Sequence, residues 1–115
     1  MTHDLTILRE LFAKCSKGIA AVGDETRQFI IITLMEETGD GMRVGRITEK
    51  TNLSRPAVSH HLKVLREAGI VSLRKEGSMN FYYLNPDKTT IANMQMLCQG
   101  ILDTMTACEV EGCDK

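Results

Sequence analysis

Nowhere in the 115 residues is there an apolar run long enough to cross a bilayer. The longest, Phe29-Ile30-Ile31-Ile32, resumes after Thr33 only as Leu34 and Met35, far short of the roughly 20 residues a spanning helix needs. Met1-Thr2-His3-Asp4 holds no basic region leading into an apolar one, so no secretory leader is expected. The expectation is a cytoplasmic protein with no membrane partner. No internal repeat or low-complexity tract is present. Catalysis is short of material as well. There is no glycine-rich phosphate loop and no carboxylate pair set out as acid and base, and the imidazoles are limited to His3, His60 and His61. Ser59 and His60 are chain neighbours on one helix and cannot face one another as nucleophile and base, so an enzyme is not expected.

What is present fits one soluble domain spanning 1–115. Hydrophobic residues make up 43% and charged residues 25%, an ordinary globular balance, and the length suits a single core. The net charge of −1 conceals an asymmetry. Arg43 to Lys88 holds nine Lys/Arg against four acids, a local +5, and the remainder carries −6. A basic working surface on an acidic body is what nucleic acid would select.

Periodicity orders the elements as α-α-α-α-β-β-α. Leu5, Leu8, Phe12, Cys15 and Ile19 recur at steps of three and four, predicting a helix over 5–21. Asp24 is an N-cap candidate for a second helix over 25–37, with Phe29, Ile30, Thr33 and Leu34 as its buried side. A short helix over 44–51 is followed by a turn at Asn52-Leu53. Ser54 then caps a helix over 55–68 that begins with Pro56, buries Val58, His61, Leu62 and Leu65, and stops at Gly69. Two β runs over 70–74 and 79–84 are joined by Lys75-Glu76-Gly77-Ser78. A last helix, 86–108, carries the stripe Ile91, Met94, Leu97, Cys98, Ile101, Leu102, Met105 and Cys108. Residues 109–115 are expected to form a flexible tail.

The stretch 43–84 reads as a helix-turn-helix followed by a wing, which aims its second helix at the major groove. With Val58, Leu62 and Leu65 inward, Ser54, Arg55, Pro56, Ser59, His60, Lys63 and Arg66 face outward. Short donors near the helix start can reach base edges, and long cations further along can reach phosphates. Arg74, Lys75, Ser78 and Asn80 on the hairpin supply a second contact. The fold class is therefore mostly α with a β-hairpin wing.

The run from Leu53 through Ser54-Arg55-Pro56-Ala57-Val58-Ser59-His60-His61-Leu62-Lys63 to Val71 resembles the recognition segment of ArsR-type winged-helix repressors. Val22-Gly23-Asp24-Glu25-Thr26-Arg27 is similar to the start of that family's second helix, and Arg74-Lys75-Glu76-Gly77 with Phe81-Tyr82-Tyr83-Leu84 to its wing. The likeness covers residues 21–84. It implies a homodimer that represses a promoter and releases it when an inducer binds. The apolar stripes of the terminal helices, 1–22 and 86–108, fit a dimer interface. A twofold dimer sets two recognition helices roughly 34 Å apart on double-stranded DNA with an inverted-repeat operator.

The chain departs from the metal-sensing members of that family. Their cysteines stand at the start of the third helix, where Met42-Arg43-Val44-Gly45-Arg46-Ile47 offers none. Their zinc ligands on the last helix correspond to Ile91, Asn93, Thr104 and Ala107. What remains is thiol chemistry. Cys15, Cys98 and Cys108 fall on the terminal stripes and Cys113 in the tail, all four expected as free thiols. They could bind a soft metal or metalloid, react with an oxidant or a sulfur species, or serve only as small hydrophobes. A regulator with no thiol or metal sensor, and a winged-helix protein–protein module, also stay open.

Overall fold

Seven elements follow one another in the expected order: α1 (Leu5–Val22), α2 (Glu25–Met35), α3 (Val44–Thr51), α4 (Arg55–Glu67), β1 (Val71–Glu76), β2 (Met79–Leu84) and α5 (Thr89–Val110). The structure, a computed structural model, describes residues 5–37 and 39–110. Two of the helix starts are written in side-chain oxygens. Asp24 accepts from the Arg27 amide at 3.0 Å, and Ser54 from the Ala57 amide at 3.2 Å, each satisfying a donor the first helical turn leaves orphaned. α5 begins three residues later than its apolar pattern suggested. Asp87 draws both the amide and the hydroxyl of Thr89 onto one carboxylate oxygen, so Pro86 and Asp87 belong to the turn before the helix. At its other end α5 continues through Glu109 and Val110, two residues into the expected tail; residues 111–115 lie outside the described residues.

β1 and β2 pair antiparallel in register from Val71↔Leu84 to Glu76↔Met79. The hairpin is longer and its loop tighter than expected, Gly77-Ser78 alone, because Gly77 adopts φ +60 and a two-residue turn of that hand matches strand twist. Met42 adds an isolated bridge to Tyr82, with Met42 N–H donating to Tyr82 O at 2.8 Å and Tyr82 N–H to Met42 O at 2.9 Å.

The core is unevenly distributed. Ile30, Leu34, Met42, Ile47, Val58, Leu62, Leu65, Ile70, Val71 and Tyr82 form one buried cluster that binds α2, α3, α4 and the hairpin together. Leu11, Cys15 and Leu97 form a second, smaller cluster where α1 lies along α5. That pairing depends on two glycines. A Cβ on Gly100 would stand 2.4 Å from Leu8 Cδ2, and one on Gly18 would stand 2.8 Å from Thr90 Cγ2, so the absent side chains let the helices close.

Three inward assignments are corrected. α1 turns Leu11, Cys15, Gly18 and Ala21 inward, leaving Leu5, Phe12 and Ile19 at the surface. Both sets recur at helical spacing, and tertiary packing chose between them. Phe29 on α2 is likewise exposed while Ile30, Thr33 and Leu34 are buried. His61 is half-buried rather than enclosed.

Candidate nucleic-acid interface

α3 and α4 are set at their angle by a residue in the left-handed region. Asn52 adopts φ 58 and its amide donates to Thr48 O at 2.8 Å, ending α3; asparagine tolerates that conformation better than other side chains do. The chain then re-enters helix at Ser54. Val58, Leu62 and Leu65 of α4 are fully buried, which fixes the rotation of the helix about its axis. Its opposite side is consequently open. Ser54, Arg55, Pro56, Ser59, His60, Lys63 and Arg66 are all exposed, and no acid interrupts them before Glu67.

The hairpin distributes its four candidates over different surfaces. Lys75 and Asn80 are cross-strand partners and so share one face. Lys75 and Ser78 are exposed, Asn80 half-buried. Arg74 pairs with Phe81 instead, and its guanidinium sits 4.6 Å above that ring. It also donates to Asp40 O at 2.8 Å and forms an ion pair with Glu76. Arg74 is thus engaged in holding the wing to the loop after α2, and Lys75 is the cation the wing presents to solvent.

One residue at the heart of this arrangement was not singled out from sequence. Arg27 on α2 donates from Nε to Ala21 O at 2.9 Å and from Nη2 to Ala20 O at 3.2 Å, while Nη1 lies 3.1 Å from Nδ1 of His61 on α4. It therefore ties the end of α1 to the recognition helix. A guanidinium only donates, so His61 Nδ1 accepts and the ring is neutral with its proton on Nε2. Burial lowers the His61 pKa, and the Arg27 and His60 charges lower it further, against an opposing pull from Asp24. Asp24 is itself held below the usual carboxylate range, chiefly by the Arg27 amide. The sequence signal was the Asp24-x-x-Arg27 spacing, but nothing in it names His61 as the third member.

Residues 24–72 match the bacterial regulatory protein, arsR family, a span running from the Asp24 cap through the recognition helix to the first strand. An uncharacterized HTH-type transcriptional regulator of Methanocaldococcus jannaschii is 42% identical over 79 residues, 69% of this chain and 86% of the relative. The chain belongs to the arsR family of bacterial regulatory proteins. As an arsR-family protein it is a DNA-binding transcription regulator with a winged helix-turn-helix. The transcriptional repressor SdpR of Bacillus subtilis is 38% identical over 65 residues, 56% of this chain and 69% of the relative. The solved ArsR-like regulator from Rhodococcus sp. RHA1 superposes with a TM-score of 0.68 at 22% identity, covering 88% of this chain and 90% of that one, a likeness of fold.

The thiols of this arsR-family chain do not stand as expected. Cys15 is buried between α1 and α5, Cys98 is exposed, and both are free. Cys108 is disulfide-bonded, which corrects the expectation of four free thiols; Cys113 lies outside the described residues. Among the described residues no group of three or more His, Cys, Asp or Glu is placed to hold a metal ion. Among them, too, no helix is long and apolar enough to cross a membrane.

Proposed function

We propose that this regulator is a homodimeric repressor that reads an inverted-repeat operator with α4 and steadies itself on the phosphates with the wing. The exposed face of α4 carries this reading. Its inner side chains are locked in the core, so Arg55, Ser59, His60 and Lys63 are presented on a rigid element with cations and short donors and no acid among them. Ser59 and His60, near the helix start, read base edges; Lys63 and Lys75 contact phosphate. The name of the Bacillus subtilis relative supports repression. Pairing is supported by shape and surface. The radius of gyration is 17.8 Å, against about 13 Å for a compact chain of this length. Leu102 and Met105 on α5 are 56% and 62% exposed, and a second α1/α5 pair laid against them would bury both.

The test is fluorescence anisotropy with DNA from upstream of the protein's own gene, at two salt concentrations. Affinity no better than for random DNA would remove the repressor reading. Replacing Ser59 and His60 by alanine should erode sequence preference, about 1–3 kcal/mol for each lost base contact. Lys75→Ala should weaken all sequences alike and lower the salt slope by about one.

For the inducer, the Cys108 disulfide favours thiol–disulfide chemistry over metal binding. Operator affinity should differ between protein reduced with a dithiol and protein oxidised with a peroxide, and a Cys108→Ser/Cys113→Ser variant should abolish the difference. Equal responses in variant and parent would take these two residues out of the mechanism.

A further inference from the structure

We propose that the cavity where α2, the end of α4 and the start of α5 meet binds an amphipathic organic anion, an apolar body bearing one carboxylate, and that its occupancy weakens operator binding. The second half of this proposal rests on the DNA-reading function above; the first half does not.

The cavity measures about 500 Å³, within the range of small-molecule sites. Its wall is apolar and drawn from five parts of the chain: Val22 of α1, Ile31 and Met35 of α2, Ile70 after the recognition helix, Leu84 of β2 and Ile91 of α5. Met35 and Ile91, both in its lining, are 58% and 51% exposed. Four polar side chains also line it, and two are already engaged. Asn85 donates from Nδ2 to Gly69 O at 3.0 Å, and its Oδ1 accepts from the Asp87 amide. The Asp87 carboxylate is held by Thr89, whose hydrogen bonds lower its pKa. Lys88 and Gln95 remain. Among the described residues neither side chain has a hydrogen-bond or ion-pair partner. Lys88 immediately precedes α5 and stands one helical turn before Ala92, whose amide bonds to Lys88 O at 2.8 Å, and Gln95 follows three residues on, so the three share one side. The Asp87 carboxylate keeps its charge but is turned onto Thr89, so Lys88 and Gln95 are the groups left to meet a ligand. An apolar chamber lined with an ammonium and an amide is complementary to a carboxylate on a hydrocarbon or aromatic body.

The location gives such a ligand leverage. Three hydrogen bonds join the C-terminal end of α4 to the segment leading into α5: Asn85 Nδ2 to Gly69 O, the Asn85 amide to Ile70 O at 2.9 Å, and Thr90 Oγ1 to Ala68 O at 2.9 Å. The fit is close, since a Cβ on Gly69 (φ +79) would meet Thr90 Oγ1 at 2.7 Å. A molecule lodged between Ile70 and Ile91 bears on both sides of this joint, and so on the angle between the recognition helix and the α1/α5 pair. Differential affinity for two such angles is sufficient for allosteric release.

The experiment titrates the full chain by calorimetry with decanoate below its micellar concentration, and with decanol as the uncharged counterpart. Decanoate should saturate at one per chain. Lys88→Gln should weaken decanoate by about fivefold and leave decanol unchanged. Ala92→Trp, which fills the cavity from an exposed helix position, should abolish both with the helical circular dichroism retained. Decanoate should lower operator affinity by about fivefold or more in the parent and not in Ala92→Trp. Absence of saturable binding, or binding that Ala92→Trp leaves intact, would overturn the site. Sedimentation velocity supplies the remaining outcome: dissociation of the dimer in step with decanoate would mean a second copy covers the cavity, which also overturns it. Failure of ligand-free operator binding counts against the DNA-reading function alone, because calorimetry still reports on the cavity.

Discussion

The α1/α5 pair is built from more apolar sequence than α3 and α4, and yet it is the DNA-reading head that buries its apolar side chains. In the head, α2, α3, α4 and the hairpin close round a single buried cluster in which Ile30, Ile47, Val58, Leu62 and Leu65 are inaccessible to solvent. Along α1 and α5 the shared cluster is only Leu11, Cys15 and Leu97, and Leu5, Ile7, Phe12, Met96, Leu102 and Met105 are about half exposed or more. The head is complete within one chain. The helix pair leaves an apolar face open, which the proposed second copy would cover. Apolar content therefore says little about burial; what matters is whether the chain itself brings up a second surface.

The sharpest way to break that contrast is to cut into the head. Leu62→Ala should cost about 2–5 kcal/mol, read as a lowered urea midpoint at a fixed protein concentration. Next in size is the helix pair. Gly18→Leu would thrust a branched side chain into Thr90 and Met94 and should cost about 1–3 kcal/mol, with stability now rising with protein concentration if α1 and α5 are shared between copies. Concentration-independent loss would make the pair an ordinary intrachain contact. Smaller again is the Asp24 cap, where Asp24→Ala should cost about 1 kcal/mol and loosen the Arg27 tie between α1 and α4.

The smallest effect is a pH dependence at the tie itself. Because the folded pKa of His61 lies below its ordinary value of 6.5, the folded state favours the neutral ring. The stability this contributes is complete above pH 6.5 and is lost as pH falls from there toward the folded pKa. Asp24 and Asp87, both lowered from 3.8, lose their contributions only in a more acidic window. Urea midpoints measured between pH 7.5 and 5 should decline, and His61→Gln should flatten the curve. An unchanged slope in that variant would show that the Arg27–His61 contact does not titrate with folding.

Much of the head was legible because its signals are local. Ser54 followed by Pro56, the Asn52 turn, Gly69 after the last apolar residue of α4 and Gly77 in the hairpin each act through backbone groups a few residues away. The candidate DNA face followed from the same locality, since burying Val58, Leu62 and Leu65 leaves Ser59, His60 and Lys63 no other direction. The rest depended on distant partners. α1 offers two apolar stripes at helical spacing, and only the path of α5 across Gly18 selects the one with Leu11. Arg74 looked like a phosphate ligand until Asp40, Glu76 and Phe81 proved to surround it. Arg27 reaches a histidine 34 residues later, and Cys98, on an apolar stripe, faces solvent.

The sequence by itself determined the order of the elements, the helix-turn-helix and its wing, and the outward side of the recognition helix. Caps, turns and one-sided periodicity are read within a few residues of where they act. The tertiary structure decided which stripe of α1 is buried, which wing cation stays free, how α1 is fastened to α4 through Arg27 and His61, and where a cavity remains. Each of these is a choice among residues equally apolar or equally charged, and only the approach of a remote part of the chain breaks the tie.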